Sequence, residues 1–327
     1  MKYAIAALLL SLAAGAGAND GIGAVGAGGI VFRKTDAIAM KKEVLNVGHQ
    51  WITVDYEFLN ESAADVEETV IFPMPAYPVG EQLGETYYGQ PGGFKVTVDG
   101  KDVPARTVVR ALVDGADVTA SLKKAGLTDA QIAYPDFAAA EHKIKVPPLS
   151  AQQRKQLKAT GLLGDGPYND MTPTWDAQVS YVWQQVFPRN RIVRVHHEYR
   201  PLVGAGPGES VFDQDAAKRY CADRAFLSSW DKAVRSGNGY SAAKVAYILK
   251  TGNTWKNGIE DFTLNVVKSD PSELVTLCFP GTFKKIDART YQVKLRNFRP
   301  ASNLDVFFGN PVDAADDTRA ELPRLSQ

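Results

Sequence analysis

The pattern with the most direct chemical meaning in this sequence is Ser241 followed by Lys244, which matches the letters S-x-x-K. In exported serine enzymes, a lysine one helical turn after a serine activates the hydroxyl as a nucleophile. Helical periodicity over 241–250 predicts that spacing, with Ser241 as the N-cap and Gly252 just past the end. The companion letters K-T-G begin at Lys250, at the end of the same predicted helix rather than on a separate strand. Helix-capping roles for Ser241 and Gly252 therefore explain the pattern better than acyl transfer does.

His197 is the second residue that could do chemistry. It shares one face of a predicted strand with Val193, Val195 and Tyr199, whereas His196 points to the opposite face. The two adjacent imidazoles therefore cannot readily share a metal ion. A packed, hydrogen-bonded structural histidine is the favoured interpretation, and a buried base or pH-sensitive group is the alternative.

Two other patterns match ligand sites only in their letters. Gly21 to Gly26 reads G-x-G-x-x-G, but a dinucleotide site needs a strand before these glycines and a helix after them. A flexible N-terminus of the mature chain is the favoured interpretation. Four aspartates lack the alternating spacing and glycine of a calcium loop: Asp114, Asp117, Asp129 and Asp136. The sequence thus predicts no cofactor and no metal site.

Tyr87 and Tyr88 lie in a turn-rich segment that continues through Pro91, Gly92 and Gly93. Exposed rings on such a loop can stack on a sugar or anchor a protein partner, and rings that fold back onto the core are the alternative. Thirty-seven basic and thirty-seven acidic residues leave no net charge, which disfavours nucleic-acid binding. The expected partner is an unidentified protein or another envelope component.

The first 18 residues have the pattern of a cleaved signal peptide. Lys2 supplies the positive end, 3–12 is apolar, and Ala16-Gly17-Ala18 is an A-x-A cleavage site. We therefore expect a mature chain that begins near Asn19, lies in the periplasm or outside the cell, and contains no transmembrane segment.

Export changes the interpretation of the two cysteines, Cys221 and Cys278. Paired thiols in an oxidising compartment are usually bridged, so a disulfide is favoured over two buried free thiols. No C-x-x-C pattern is present, which disfavours a redox enzyme.

These residues must be positioned mostly by strands. Alternating apolar and polar residues predict a hairpin of 52–58 with 66–72, a second hairpin across Asp99-Gly100 with 103–109 as its return strand, and a third of 175–183 with 193–199. Helices are predicted over 117–126, from Ser150 to Gly161, and over 215–234. The predicted fold class is mainly β (α+β), with antiparallel β-sandwich units and two helical insertions.

The predicted organisation divides the chain into seven segments. They are a signal peptide (1–18), a β-rich unit (19–112), a helical insertion (113–166), a β-hairpin completing the N-terminal β unit (167–204), a helical segment (205–252), a C-terminal β unit (253–310) and a polar tail (311–327).

Several blocks of the sequence resemble a bacterial exported family known as domain of unknown function 4424. The blocks are Gly28 to Phe32, Val54 to Asn60, Val70 to Pro75, Val182 to Pro188, His197 to Pro201, Tyr247 to Gly252 and Phe298 to Pro300. This resemblance implies kinship and an extracytoplasmic location but no activity. A strand ending in Phe-x-Asn followed by one ending in Phe-Pro-x-Pro also resembles the opening of vault and inter-alpha-trypsin inhibitor type modules, which are β-rich interaction domains.

The sequence therefore predicts an exported, non-enzymatic β-rich protein that acts as a binding or envelope-associated module. The alternative is a periplasmic hydrolase built from dispersed Ser, His and Asp residues.

Overall fold

The structure is a computed structural model that describes residues 19–26, 29–79, 86–87, 94–134, 146–165, 171–207, 212–236 and 241–309. Tyr88, Asp136, the predicted leader and the polar tail lie outside the described residues. About 50% of the protein is strand and 18% is helix, so the prediction of a mainly β fold is confirmed.

The strands are numbered along the chain. They are β1 (Gly21–Gly26), β2 (Gly29–Arg33), β3 (Ile38–Val47), β4 (Ile52–Asn60), β5 (Val66–Pro73), β6 (Tyr77–Pro78), β7 (Thr86–Tyr87), β8 (Lys95–Val98), β9 (Lys101–Asp102), β10 (Arg106–Val113), β11 (Ala116–Asp117), β12 (Leu163–Asp165), β13 (Met171–Pro173), β14 (Asp176–Phe187), β15 (Ile192–Tyr199), β16 (Val203–Pro207), β17 (Ser241–Tyr247), β18 (Lys256–Val267), β19 (Leu274–Leu277), β20 (Lys284–Lys285), β21 (Thr290–Phe298) and β22 (Leu304–Gly309). The helices are α1 (Thr119–Lys124), α2 (Asp129–Ala133), α3 (Ala151–Ala159), α4 (Gln214–Arg219), α5 (Arg224–Arg235) and a 3-10 helix (Lys250–Thr254).

Three larger sheets enclose one apolar core. The seven-stranded sheet has the order β11-β10-β14-β5-β1-β2, with β6 also paired to β14. The eight-stranded sheet has the order β20-β21-β18-β3-β4-β15-β8-β9, and the five-stranded sheet has the order β19-β22-β17-β16-β7. All these pairings between strands are antiparallel except β18 with β3, which is parallel. Inward side chains from all three sheets belong to the same buried cluster, because alternation along each strand directs every second residue toward it.

Two of the predicted hairpins are wrong, although their strands are confirmed. β4 belongs to the eight-stranded sheet and β5 to the seven-stranded sheet, and the same division separates β14 from β15. Each of these turns carries the chain from one sheet to the other. Alternation predicts which face of a strand is buried, but it does not predict the strand's partner. The next segment can pair beside the strand by hydrogen bonds or lie across the core in another sheet, and both arrangements give the same pattern.

The predicted Asp99-Gly100 turn is confirmed, with φ values of 48° and 78° that suit a tight hairpin. Its return strand is much shorter than predicted. β9 ends at Asp102, and the following strand, β10, pairs instead with β14 in the seven-stranded sheet.

The G-x-G-x-x-G segment is strand β1, so the prediction of a flexible N-terminus is wrong. β1 and β2 form a hairpin that crosses the outer face of the seven-stranded sheet. There Ile30 packs against Ile71 and Val182, and Arg110 Nη1 donates to Ile30 O at 3.5 Å. The glycines permit the close approach, since a Cβ on Gly23 would lie 2.7 Å from both Ile71 Cδ1 and Val31 O.

Substitution of Gly23 by alanine tests that close approach. We expect Gly23→Ala to lower the free energy of unfolding by about 1–3 kcal/mol, because the hairpin must move off the sheet to accommodate a methyl group. The measurement is urea unfolding followed by tryptophan fluorescence. Ala24→Ser, at the exposed neighbouring position, serves as the control. Equal urea midpoints of unfolding for Gly23→Ala and Ala24→Ser would contradict the expected steric overlap at position 23.

The helical predictions are confirmed in three places and wrong in one. α1, α3, and the pair α4 and α5 lie where periodicity predicts them, and Ser150 forms the predicted capping box with Gln153. Residues 241–250 are instead mostly strand β17. The sequence 241–247, Ser-Ala-Ala-Lys-Val-Ala-Tyr, fits either period, and its place between β16 and β22 determines the extended form.

The predicted disulfide between Cys221 and Cys278 is present. Cys221 lies between α4 and α5, and Cys278 follows β19 at the edge of the five-stranded sheet. The bridge fixes this helix pair over Phe307, which packs with Tyr220, Phe226 and Trp230 in a separate aromatic cluster. Among the described residues, no helix is long and apolar enough to cross a membrane.

Candidate functional site

His197 is completely buried between the sheets, on the inward face of β15. Its imidazole is surrounded by four aromatic rings with centroid separations of 4.9 to 5.5 Å: Tyr56, Phe72, Phe94 and Trp183. His196 points outward, as predicted, and its Nδ1 lies 2.8 Å from Asp55 Oδ1.

Asp20 is the acidic neighbour of His197, although their contact does not have hydrogen-bond geometry. His197 Nε2 lies 3.3 Å from Asp20 Oδ2, and both side chains are 0% exposed. Trp255 Nε1 donates to the Asp20 carbonyl oxygen at 2.6 Å, which fixes the backbone at this position. Burial raises the pKa of Asp20 above its ordinary value, and the adjacent His197 opposes that rise.

Asn19 is enclosed beside Asp20 and uses both its backbone and its side chain. Its backbone N donates to Thr251 Oγ1 at 2.5 Å, and Thr251 Oγ1 donates to the Asn19 carbonyl oxygen at 2.5 Å. Its side-chain Nδ2 donates to Glu43 Oε2 at 2.9 Å, while Tyr56 OH donates to Oδ1 at 2.6 Å. Tyr56 OH also lies 3.0 Å from Tyr247 OH. We call this group the N-terminal polar cluster: Asn19, Asp20, Glu43, Tyr56, His197, Tyr247, Thr251 and Trp255.

Glu43 is the second buried carboxylate of the cluster. Its Oε2 accepts from Asn19, but its Oε1 accepts no hydrogen bond from any described residue. Burial raises the pKa of Glu43 to about 8; the hydrogen bond from Asn19 acts against the rise and the nearby Asp20 adds to it. The members of the cluster are at most 4% exposed. The cluster therefore contains ionisable groups but presents no open surface to a substrate.

A second buried group joins His49, Ser269 and Glu273. His49 Nε2 lies 3.1 Å from Ser269 Oγ and 3.0 Å from Glu273 Oε1, and Ser269 N donates to Glu273 Oε2 at 2.8 Å. A serine hydrolase relay needs the hydroxyl and the carboxylate on opposite ring nitrogens. Here both contact Nε2, so the arrangement anchors the 268–273 turn rather than forming a relay.

The S-x-x-K pattern does not form a catalytic pair. Ser241 and Lys244 lie three residues apart on β17, and residues an odd number apart on a strand face opposite sides of a sheet. Lys244 is opposite Phe307 on the side covered by α4 and α5, whereas Ser241 has the parity of the core-facing Ala243.

Tyr87 lies on β7, the edge strand of the five-stranded sheet, opposite Gly204 of β16. Its partner in the sequence prediction, Tyr88, is outside the described residues. A role for this pair in binding stays a prediction.

The outer face of the eight-stranded sheet carries a row of hydrogen-bonded side chains across four adjacent strands. Gln292 Nε2 donates to Asn265 Oδ1 at 2.9 Å, and Asn265 Nδ2 donates to Asn46 Oδ1 at 2.7 Å. Asn46 Nδ2 then donates to Thr53 Oγ1 at 2.9 Å. We call Gln292, Asn265, Asn46 and Thr53 the amide row. The same register continues to Glu198, which is exposed.

Sequence reasoning identified His197 but not its partners. Glu43 carried a signal, because it has the same parity as the buried Leu45 and Val47, and a charged residue on an inward face needs a partner. Asp20 and Asn19 carried no signal, since they lie immediately after the predicted leader, more than 170 residues from His197 in the sequence.

Comparisons with known proteins identify a family and assign no activity. A family model described as "Domain of unknown function (DUF4424)" matches residues 18–307. No curated protein matches the chain in sequence. A crystal structure of a Legionella pneumophila protein described as a "putative nutrient binding protein" is 18% identical, with a TM-score of 0.45, over 89% of this chain and 70% of that one. Native yeast LTA4 hydrolase is 9% identical, with a TM-score of 0.26, over 84% of this chain and 29% of that one.

Proposed function

Because the chain belongs to the DUF4424 family, which is named for no activity, we propose a function from its geometry: it is an exported, non-enzymatic module that binds an envelope partner through the outer face of the eight-stranded sheet. The amide row is the observation that carries this proposal. It is a regular series of polar side chains on four adjacent strands, and it contains no charged group.

The hydrogen bonds along the row orient the amides without using up their bonding capacity. A side-chain amide has two N–H donors, and each of Gln292, Asn265 and Asn46 uses one of them within the row. Adjacent strands are about 4.8 Å apart, so the remaining groups repeat at that interval across the sheet. A partner with regularly spaced hydroxyl or carbonyl oxygens would match this surface.

Export is supported by the sequence and by one structural feature. The leader pattern of residues 1–18 predicts secretion, and the Cys221–Cys278 bridge is the kind of bond that persists outside the reducing cytosol. The chemistry-bearing side chains Asp20, Glu43 and His197 face inward, where Glu43 binds Asn19 and His197 contacts Asp20. This arrangement favours a binding role over the hydrolase alternative.

Site-specific photo-crosslinking in intact envelopes tests the proposed face. We expect a photoreactive residue at Glu198 to give a discrete adduct, and Asn265→Ala to reduce its yield at least about 5-fold, as expected for loss of about 1 kcal/mol of binding. The other sheet offers a matched control, because Gln184 and Thr69 form an exposed amide–hydroxyl pair there. A photoreactive residue at Glu67 should give no adduct. The substitution Gln184→Ala should leave the yield of the Glu198 adduct unchanged. Equal adducts at both faces, or an Asn265→Ala yield like that of the unchanged protein, would contradict the proposal.

The purified protein is assayed separately for turnover, with a fluorophosphonate probe and with esterase and glycosidase substrates. The binding proposal expects no saturable turnover. Turnover that Ser241→Ala abolishes would establish the hydrolase instead, since Ser241 is exposed and its loss should leave the fold intact.

A further inference from the structure

The backbone nitrogen of Asn19, the residue after the predicted leader, lies in the interior of the protein. Asn19 is 0% exposed, and its nitrogen is 2.5 Å from Thr251 Oγ1 in the centre of the N-terminal polar cluster. The first residues of most domains are exposed and poorly ordered unless specific contacts hold them. The contacts here come from residues up to 232 positions away, so the fold contains a built site for this residue.

The predicted cleavage site lies immediately before this buried residue. Ala16-Gly17-Ala18 matches the small-residue pattern that signal-processing proteases recognise, and cleavage there leaves Asn19 as the first residue. The leader pattern predicts which bond is cleaved, and the burial of Asn19 places the nitrogen that this cleavage would release inside the protein.

The charges around Asn19 are not balanced by the described side chains. Asp20 and Glu43 are two buried carboxylates, and His197 is the basic side chain in contact with Asp20. Three carboxylate oxygens, Asp20 Oδ1, Asp20 Oδ2 and Glu43 Oε1, accept no hydrogen bond from the described residues, although Asp20 Oδ2 lies 3.3 Å from His197 Nε2. Burying a carboxylate without a counter-charge is costly, and each missing hydrogen bond adds to that cost.

We propose that the peptide bond between Ala18 and Asn19 is cleaved and that the resulting α-ammonium group of Asn19 is the buried counter-ion of Glu43 and Asp20. A protease of the signal-processing class catalyses the step: water adds across the C–N bond, Ala18 leaves as a carboxylic acid, and Asn19 keeps its nitrogen as an amine that takes up a proton. An amide nitrogen has one hydrogen, which binds Thr251, whereas an ammonium has three. The two additional donors supply what the unpartnered carboxylate oxygens lack. This inference rests on the export part of the proposed function.

The electrostatics of the cluster agree with this assignment. With an amide at position 19, burial raises the pKa of Glu43 to about 8, so its carboxyl group is largely protonated at neutral pH. A cation beside the carboxylate favours its charged form and lowers its pKa, while the carboxylates raise the pKa of the amine. The processed cluster then has two carboxylates opposite the ammonium and an imidazole.

The first measurement is mass spectrometry of the N-terminal peptide of the exported protein. We expect Asn19 as the first residue, with an unmodified amine. In the native protein at pH 7, this amine should resist an amine-reactive reagent that labels surface lysines, and it should react after unfolding in urea. A different first residue, or an α-amine that labels as fast as the lysines, would overturn the proposal.

The second measurement is a double-mutant cycle in melting temperature. Its arms are the protein beginning at Asn19, the same protein with one additional alanine before Asn19, and both forms with Glu43→Gln. The additional alanine moves the charge away from Glu43, and we expect it to lower the melting temperature by about 5 °C. In the Glu43→Gln background it should have a clearly smaller effect. Glu61→Gln, which removes a surface carboxylate instead, is the control and should leave the effect of the alanine unchanged. An equal effect of the alanine in all backgrounds would overturn the pairing.

The pH dependence provides a third measurement. In the protein with the additional alanine before Asn19, folding raises the pKa of Glu43. The folded state therefore binds more protons than the unfolded state between about pH 4.5 and 8. Its melting temperature should therefore fall as the pH rises through this range. The polar and ionisable groups around Glu43 are Asn19, Asp20, Tyr56 and Tyr247, and His197 contacts Asp20. The form beginning at Asn19 should show a flatter profile of melting temperature against pH in this range.

A protein that stays in the cytosol would instead contradict the export proposal, and refolding of the form beginning at Asn19 in vitro would still test the ion pair.

Discussion

His197→Ala should lower the free energy of unfolding by about 3–5 kcal/mol at pH 7. The substitution leaves the Asp20 carboxylate buried without its partner, which costs about this amount for a broken buried pair. It also opens a cavity among the rings that surround the imidazole, which adds to the loss. Urea unfolding monitored by circular dichroism measures the change.

The adjacent residue provides a matched control. His196 is on the same strand and contacts a carboxylate at 2.8 Å, but its side chain is 37% exposed and that of Asp55 is 59% exposed. His196→Ala should therefore cost less than about 1 kcal/mol. If the two alanine variants unfold at the same urea concentration, the Asp20–His197 contact does not stabilise the fold. His197→Gln keeps part of the volume and a donor, and should recover part of the loss.

Loss of the disulfide should have a similarly large effect. The bridge closes a loop between positions 57 residues apart, and the loop-closure entropy for that length corresponds to about 4 kcal/mol. We expect the variant with both Cys221→Ser and Cys278→Ser to lose up to this amount, with the loosening greatest where α4 and α5 cover Phe307. Thermal unfolding gives the overall change, and hydrogen exchange of the α5 amides shows its location.

The reductant response is the control for the disulfide. Dithiothreitol should destabilise the unchanged protein to the level of the double serine variant, and should leave that variant unaffected. A variant with melting behaviour equal to that of the oxidised protein would show that the helix pair is held by its aromatic contacts alone.

The strands could be predicted from the sequence much better than their partners. Ile52 to Phe58 and Val193 to Tyr199 alternate strictly, and both form strands with the predicted faces inward. Alternation says nothing about whether the next segment pairs beside a strand or crosses the core, so two hairpins were predicted wrongly. The segment Ser241 to Tyr247 favours a helix by composition, because alanine and lysine are helix formers, but its neighbours β16 and β22 impose a strand.

The polar cluster was only partly predictable. His197 could be placed on an inward face, and the same reasoning applied to Glu43 would have identified a second buried ionisable group. The contacts of Asn19 with Thr251 and Glu43 depend on how three sheets meet, and no local pattern encodes that meeting. The capping box at Ser150, in contrast, depends on residues three apart and was predicted fully.

The contact between Asn19 and Thr251 also has a kinetic consequence. It joins Asn19 to a residue 232 positions later, so it closes only after most of the polypeptide has emerged. Proteins dominated by such distant pairings fold slowly, because a large loop must be ordered before its contacts form. We therefore expect the N-terminal polar cluster to be among the last parts of the protein to form.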